Sequence, residues 1–257
     1  MESLGAGMRE AIEEIKKRHN ITVDLDNIDA VREQRQKQSQ IDITNRFIKQ
    51  ERERMFRSSI ISDREDLGQT FEQFMVNTSQ QQKELAMAEN IAQRINHGER
   101  GNFTFSGNPG AGKTMLAISI LNYLNSQQNS LTCLFVSVSI FMQMKMDAQK
   151  SYIPQVKDEA YKLEQLIKRC DVLVLDDLGS ESTLQENENG QIPQAYDSVQ
   201  RHLFRIADYR VHKTNIITTN NSSKELQKIY NSKIYSRLIA KKRENVIPFI
   251  SDDMRNV

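Results

Sequence analysis

The stretch FTFSGNPGAGKTMLAISILNYL, residues 103–124, decides the fold. Its centre, GNPGAGKT at 107–114, fits the pattern G-x-x-x-x-G-K-[ST] through Gly107, Gly112, Lys113 and Thr114. Each residue type has a physical reason. The glycines and Pro109 permit a tight loop that turns its backbone N–H groups inward around phosphates. Lys113 places a point charge on the terminal phosphates, and the Thr114 hydroxyl can ligate Mg²⁺. The apolar helix that opens there aims the positive end of its dipole at the anion. Phe103–Ser106 upstream reads as a strand, so the pattern stands in the strand–loop–helix setting it requires. The expected nucleotide-binding set is Gly107, Asn108, Pro109, Gly110, Ala111, Gly112, Lys113, Thr114 and Met115.

A Mg-nucleotide site also needs a carboxylate at the tip of a nearby strand. VLVLDD at 172–177 supplies it. Asp176 is the expected metal-side acid, beside Thr114. Asp177 is expected to orient or deprotonate the attacking water. Asp171 and Glu181 are less well placed for either task. Between loop and acids lie two helical stretches and the apolar strand LTCLFVSV, residues 131–138. That insertion suits P-loop ATPases in which an extra strand separates the two motifs. Small-molecule kinases usually place these strands side by side. A further strand, TNIITTN, ends in Asn220, which can touch the γ-phosphate or the lytic water, or else cap the following helix in competition with Ser222 and Ser223.

Strands alternate with helices from there to the C-terminus. Thr78 is a candidate N-cap for a helix over 79–96. SIFMQMKMDAQKSY reads as a Met-rich helix ended by Pro154, and residues 158–170 as another helix. A helix is expected near 194–209, a long helical stretch over 222–242, and a last strand in ENVIPFI. This alternation argues a parallel sheet covered by helices on both faces. Residues 1–66 differ. Leu4, Met8, Ile12 and Ile15 recur at helical spacing, and a second helical stretch follows from about Ala30 to Phe56. We therefore expect a small all-helical module and linker over 1–66 and the nucleotide-binding domain over 67–257.

With 38% hydrophobic and 27% charged residues, the chain is neither wholly disordered nor a bare coiled coil. No apolar run reaches transmembrane length, and the first residues lack a signal-peptide core, so a cytosolic protein without a membrane partner is expected. Cys133 and Cys170 sit beside apolar runs and are expected to be reduced core thiols. The formal net charge of +1 does not mark an overall nucleic-acid binder. Local charge does more. Residues 32–57 hold eight Lys/Arg against four acids, and 224–243 hold seven against Glu225 alone.

Taken together, GNPGAGKT, VSVSIFMQMKMDA, LIKRCDVLVLDDLGSE, IITTNNSSKEL and IYSRL resemble AAA+ ATPases. More narrowly they resemble bacterial helicase loaders of the DnaC/DnaI type, with the IstB transposition helpers as close kin. The segment TFEQFMVNTSQQQKELAMAENIA resembles the one these proteins place before the P-loop, near the adenine. The resemblance covers residues from about 68 to 257. It implies ATP and Mg²⁺ as cofactors and self-association into an AAA+ oligomer. It makes Arg237 an arginine finger for a neighbour's nucleotide and Arg255 a second sensor on the chain's own, with Lys233 and Arg243 as competitors. It places Ile140–Ala148 where loaders carry a helix lining a single-stranded DNA channel, so that Lys145, Lys150 and Tyr152 become candidate contacts, while Met142, Met144 and Met146 are more readily packing.

The departures are informative too. DnaI-type loaders carry an N-terminal Cys/His zinc module, but no cysteine here precedes Cys133. The short stretch after Asn220 implies a reduced or absent C-terminal lid. Asp177 stands where many AAA+ proteins have Glu, which implies slow turnover. The resulting expectation is a slow ATPase switch that loads a DnaB-type hexameric helicase onto single-stranded DNA through residues 1–66. The alternative is an IstB-like helper that binds duplex DNA and a transposase. Residues 1–31, acidic to neutral, tilt the balance to the loader.

Overall fold

The computed structural model describes residues 28–180 and 194–253, together with residues 7, 10, 11, 14, 15, 17 and 18. Leu4, Met8, Ile12, Glu181 and Arg255, singled out from the sequence, lie outside the described residues. The chain divides into two compact units, Met1–Lys49 and Gln50–Val257. The division falls within one helix, α1 (Ile28–Arg57).

In the first unit, the described α1 side chains from Val31 to Lys49 are almost all exposed. Val31, Ile41, Ile43 and Phe47 are apolar residues among them.

The second unit is built on five parallel strands: β1 (Asn102–Gly107), β2 (Cys133–Ser137), β3 (Val172–Asp176), β4 (Thr214–Thr219) and β5 (Val246–Phe249). Their order in the sheet is β2-β3-β4-β1-β5. Among the described residues seven helices accompany them: α2 (Ser79–Asn96), α3 (Lys113–Ser126), α4 (Val138–Lys150), α5 (Pro154–Arg169), α6 (Asp197–Tyr209), α7 (Ser223–Ile229) and α8 (Ser232–Leu238). Alternate residues of a strand enter opposite layers. Leu173 and Leu175 join a core with α4, α5 and α6, whereas Val172 and Val174 join one with α2 and α3. Both faces of the sheet are covered, which is why its strands read as continuous apolar runs. The α/β parallel-sheet expectation holds.

Local chemistry explains the boundaries. Thr78 caps α2, its hydroxyl accepting from the Gln81 N–H while the Gln81 side chain accepts from the Thr78 N–H. Pro154 does not end α4, which stops at Lys150; it opens α5 at the first-turn position proline favours. The stretch 222–242 is not one helix. Asn231 Oδ1 accepts from the N–H groups of Lys233 and Ile234 and starts α8 afresh. Cys133 and Cys170 are free and fully buried, and burial pushes both thiols up. The Arg210 guanidinium, 1% exposed, donates to Ile167 O, Cys170 O and Thr214 O and to Asn215 Oδ1. It thereby fastens the end of α5 to the start of β4.

Residues 50–66 belong to the sheet unit. Arg52 donates to the carbonyls of Leu124, Gln127, Asn129 and Leu131, capping the C-terminal end of α3. Met55 is 2% exposed in the core. The Ile60 N–H donates to Phe135 O and its carbonyl accepts from the Ser137 N–H, each at 2.9 Å. This bridge covers the outer edge of β2, which would otherwise leave unpaired backbone groups. Among the described residues no helix is long and apolar enough to cross a membrane.

Candidate nucleotide site

The loop after β1 turns through three glycines with positive φ: Gly107 (+139°), Gly110 (+73°) and Gly112 (+87°). A Cβ on Gly112 would press on the Phe74 ring, and one on Gly107 would strike the backbone of Phe249. The loop is therefore wedged between the segment before α2 and the end of β5, and only glycine fits there. Lys113 begins α3 and folds back over the loop. Its Nζ donates to Gly107 O at 2.9 Å and Asn108 O at 2.6 Å.

Opposite lies the acidic tip of β3. Asp176 Oδ1 accepts from Thr114 Oγ1 at 2.8 Å and from Thr218 Oγ1 at 2.6 Å. Burial pushes the Asp176 carboxyl above the usual aspartate range, against the opposing pull of the two hydroxyl bonds. Asp177 leaves the strand at φ +57°, the one left-handed non-glycine among the described residues. Such a conformation costs of order 1–3 kcal/mol and persists only where surroundings impose it. Here its N–H donates to Thr218 Oγ1 at 2.8 Å, and its Oδ1 accepts from Asn220 Nδ2 at 3.0 Å. Ser222, not Asn220, caps α7, its hydroxyl accepting from the Glu225 N–H. Asn220 thus faces the acids.

These groups line one cavity of about 560 Å³. Pro109, Gly110, Gly112, Lys113, Thr114, Met115, Asp176, Asp177, Thr218 and Asn220 form one side, and Asp66, Gln69, Gln73 and Met75 the other. Asn122 of α3 fixes that far wall by donating to Leu67 O and Gln69 O, both at 2.8 Å. Thr218 and the far-wall residues escaped the sequence reading. Thr218 had no local signal: only the pairing of Leu175 with Ile217 sets Asp176 beside Thr218 at the strand tips. The far wall had only the resemblance of residues 70–92.

The donor set fits a hard cation. The Thr114 hydroxyl and the Asp176 carboxylate converge and are both oxygen ligands of the kind Mg²⁺ takes alongside phosphate oxygens. Such an ion supplies charge neutralisation on a phosphoryl group.

Other sequence-named residues lie elsewhere. Arg237, near the end of α8, is 5.1 Å from the Phe204 ring centre and 3.6 Å from Asp208 Oδ1. With Arg100, Lys241 and Lys242 it lines a separate cavity of about 440 Å³ beside Asn102, at the start of β1 and away from the loop that follows its end. Lys233 lines a third cavity with Phe204 and Arg205. Arg243 sits in a short 3₁₀ turn before β5. Lys145 pairs with Glu164 at 2.8 Å, where Lys168 (3.1 Å) and Arg205 (3.2 Å) also converge. Burial would raise the Glu164 carboxyl, but the three cations outweigh it and hold it at about 2. Met142 is buried and Met144 packs against the core, whereas Met146 is 41% exposed. Lys150 is exposed, and Tyr152, at the turn between α4 and α5, is 97% exposed.

Comparison with known proteins bears on the fold and the family. The chain is similar in fold to a solved structure of DnaI, with 22% identity over 76% of this chain and 95% of that one, TM-score 0.54. It is similar to a DnaC helicase loader, with 22% identity over 73% and 98%, TM-score 0.55. Domain III of the Thermotoga maritima replication initiation protein DnaA gives 19% over 74% and 68%, TM-score 0.52. No curated protein matches. The pattern of the ATPase family associated with various cellular activities (AAA) matches residues 103–241, more than half of the sequence and all of the loop, acid and Asn220 positions. That match spans more than half of the sequence, and this chain belongs to that ATPase family.

Proposed function

We propose that the chain is an ATP-driven switch that loads a replicative hexameric helicase of the DnaB type onto single-stranded DNA. The observation that carries this reading is the helix pair α4–α5 inserted between β2 and the acidic strand. Its turn presents Tyr152, 97% exposed, next to Lys150. An exposed ring beside a cation suits stacking on an unpaired base next to its phosphate. The likeness in fold to the DnaC loader and DnaI supports the same reading.

In this proposal Lys113 and the loop N–H groups hold the nucleotide phosphates, and Thr114 and Asp176 hold Mg²⁺. Asp177 takes a proton from the attacking water, and Asn220, already bonded to Asp177, fixes that carboxylate's direction. Arg255, outside the described residues, keeps the second-sensor role that the resemblance implies. Arg237 serves a neighbouring copy, since it lines a cavity other than its own nucleotide cavity. An aspartate as base is shorter than a glutamate, which favours slow turnover and hence timing over motor work. Asp177→Asn is expected to bind ATP normally and hydrolyse it roughly 10²-fold more slowly. Phosphate release under saturating ATP checks this, and unchanged turnover moves the base elsewhere.

The helicase-binding role falls to residues 1–49, the part of the expected 1–66 module that lies outside the sheet unit. The deletion that tests this removes only residues 1–49, because Arg52, Met55 and Ile60 are built into the sheet unit. The full chain should co-purify with the host's hexameric replicative helicase, and the shortened chain should not, while still binding ATP. A second reading, an IstB-like helper for a transposase, draws on the exposed cations Arg32, Arg35, Lys37, Arg46 and Lys49 of α1. Duplex DNA binding that needs residues 1–49, without helicase capture, would favour it.

A further inference from the structure

The segment that follows β5 lies across the phosphate loop. The Asn108 N–H donates to Phe249 O at 2.9 Å, and Asn108 Nδ2 donates to Ser251 O at 3.2 Å. A Cβ on Gly107 would collide with the Phe249 backbone, and one on Gly110 with the Asp253 carboxylate. The end of β5 closes the Gly107 position to a side chain, and the Asp253 carboxylate borders Gly110.

What holds that segment is Glu84 of α2, whose side chain is 0% exposed. Its Oε1 accepts from the Ile250 N–H at 3.1 Å and from Gln80 Nε2 at 3.0 Å, and its Oε2 accepts from Ser251 Oγ at 2.7 Å. All three donors are neutral. Burying a carboxylate among neutral partners is costly, and an apolar side chain would fill the space at lower cost. Packing alone therefore does not account for a glutamate here. Its bonds account for it: they run from α2 through Ile250 and Ser251 to Asn108, a residue of the loop.

We propose that Glu84 is a positioning residue for nucleotide binding. It clamps residues 250–251, and through them holds the phosphate loop in its binding shape. The inference rests on the loop binding nucleotide. A loop shaped in advance avoids the ordering cost at the moment of binding. Without the clamp, part of that cost returns as lost affinity.

The full chain is titrated with a fluorescent ATP analogue, well below the melting temperature of every variant. Glu84→Ala should weaken binding about fivefold, the equivalent of one lost hydrogen bond. Ser251→Ala should weaken it in the same direction. Glu84→Gln should bind like the wild type, because its amide oxygen can accept from Ile250 and its NH₂ can donate to Ser251 Oγ. The double variant Glu84→Ala/Ser251→Ala should be no weaker than Glu84→Ala alone, since both act through one connection. A folded Glu84→Ala protein with wild-type affinity and only a lower Tm overturns the proposal. So does a Glu84→Gln protein as weak as Glu84→Ala, or losses that simply add. Lys113→Ala in the same assay separates the two ideas: if it too binds like the wild type, the nucleotide reading of the loop is what has failed.

Discussion

Lys113→Ala is expected to lose nucleotide affinity by roughly 10²-fold, the worth of about two charge-assisted hydrogen bonds to phosphate. The ammonium is held near the phosphates' path by Gly107 O and Asn108 O, so it needs little rearrangement to reach an incoming anion. Titration with a fluorescent ATP analogue, beside a thermal melt, separates lost affinity from lost stability. Wild-type affinity in a folded variant would remove the loop from nucleotide chemistry. Loss of affinity with an unchanged Tm is the expected pair of results.

Arg237→Ala should leave the subunit's own nucleotide affinity intact and yet remove the rate increase that comes with assembly. Arginines that reach a transferring phosphoryl group from a neighbour are worth roughly 10³–10⁵ in rate. In this chain Arg237 borders a different cavity from the one holding Lys113 and Asp177, and the proposed finger role puts its benefit on another copy. Hydrolysis by the wild type should therefore rise more than linearly with protein concentration, or on adding single-stranded DNA or helicase. Arg237→Ala should hydrolyse no faster per subunit as concentration rises. Mixing it with Lys113→Ala should restore part of the rise, because each supplies what the other lacks. Normal assembled turnover by Arg237→Ala, or no rescue from a Lys113→Ala protein that still assembles, would pass the role to Lys233 or Arg243.

Much of the site is local chemistry, and that part was legible. The loop, Thr114 and the acids were readable because a phosphate loop needs particular residues at fixed spacing. The N-cap of α2 was readable because Thr78 and Gln81 satisfy each other within one turn. The failures are contacts made at a distance. The break in the 222–242 stretch depends on Asn231, whose N–H is held by Gln200 of another helix. Thr218 matters because parallel pairing sets it beside Asp176, and sequence spacing does not announce register. Ile60 pairs with β2 across a gap that no local pattern marks. Lys145 is a candidate DNA contact by resemblance, and Glu164 engages it from the next helix.

The sheet order has a consequence for how the protein is made. Strand β1 leads into the phosphate loop and is the first of the five to leave the ribosome. Both of its neighbours come late: Asn102 pairs with Asn215, and Thr104 pairs with Val246. Until β4 and β5 emerge, β1 has no partner on either side, while β2 and β3 can pair with each other earlier. Contacts of such long separation slow folding and leave apolar strands uncovered during synthesis. The nascent chain thus carries an unpaired Phe103-Thr104-Phe105 strand from the end of β1 until β4 is complete at Thr219. Premature termination anywhere before β5 yields a sheet that cannot close around its own nucleotide loop, and such fragments would be substrates for chaperones or proteases.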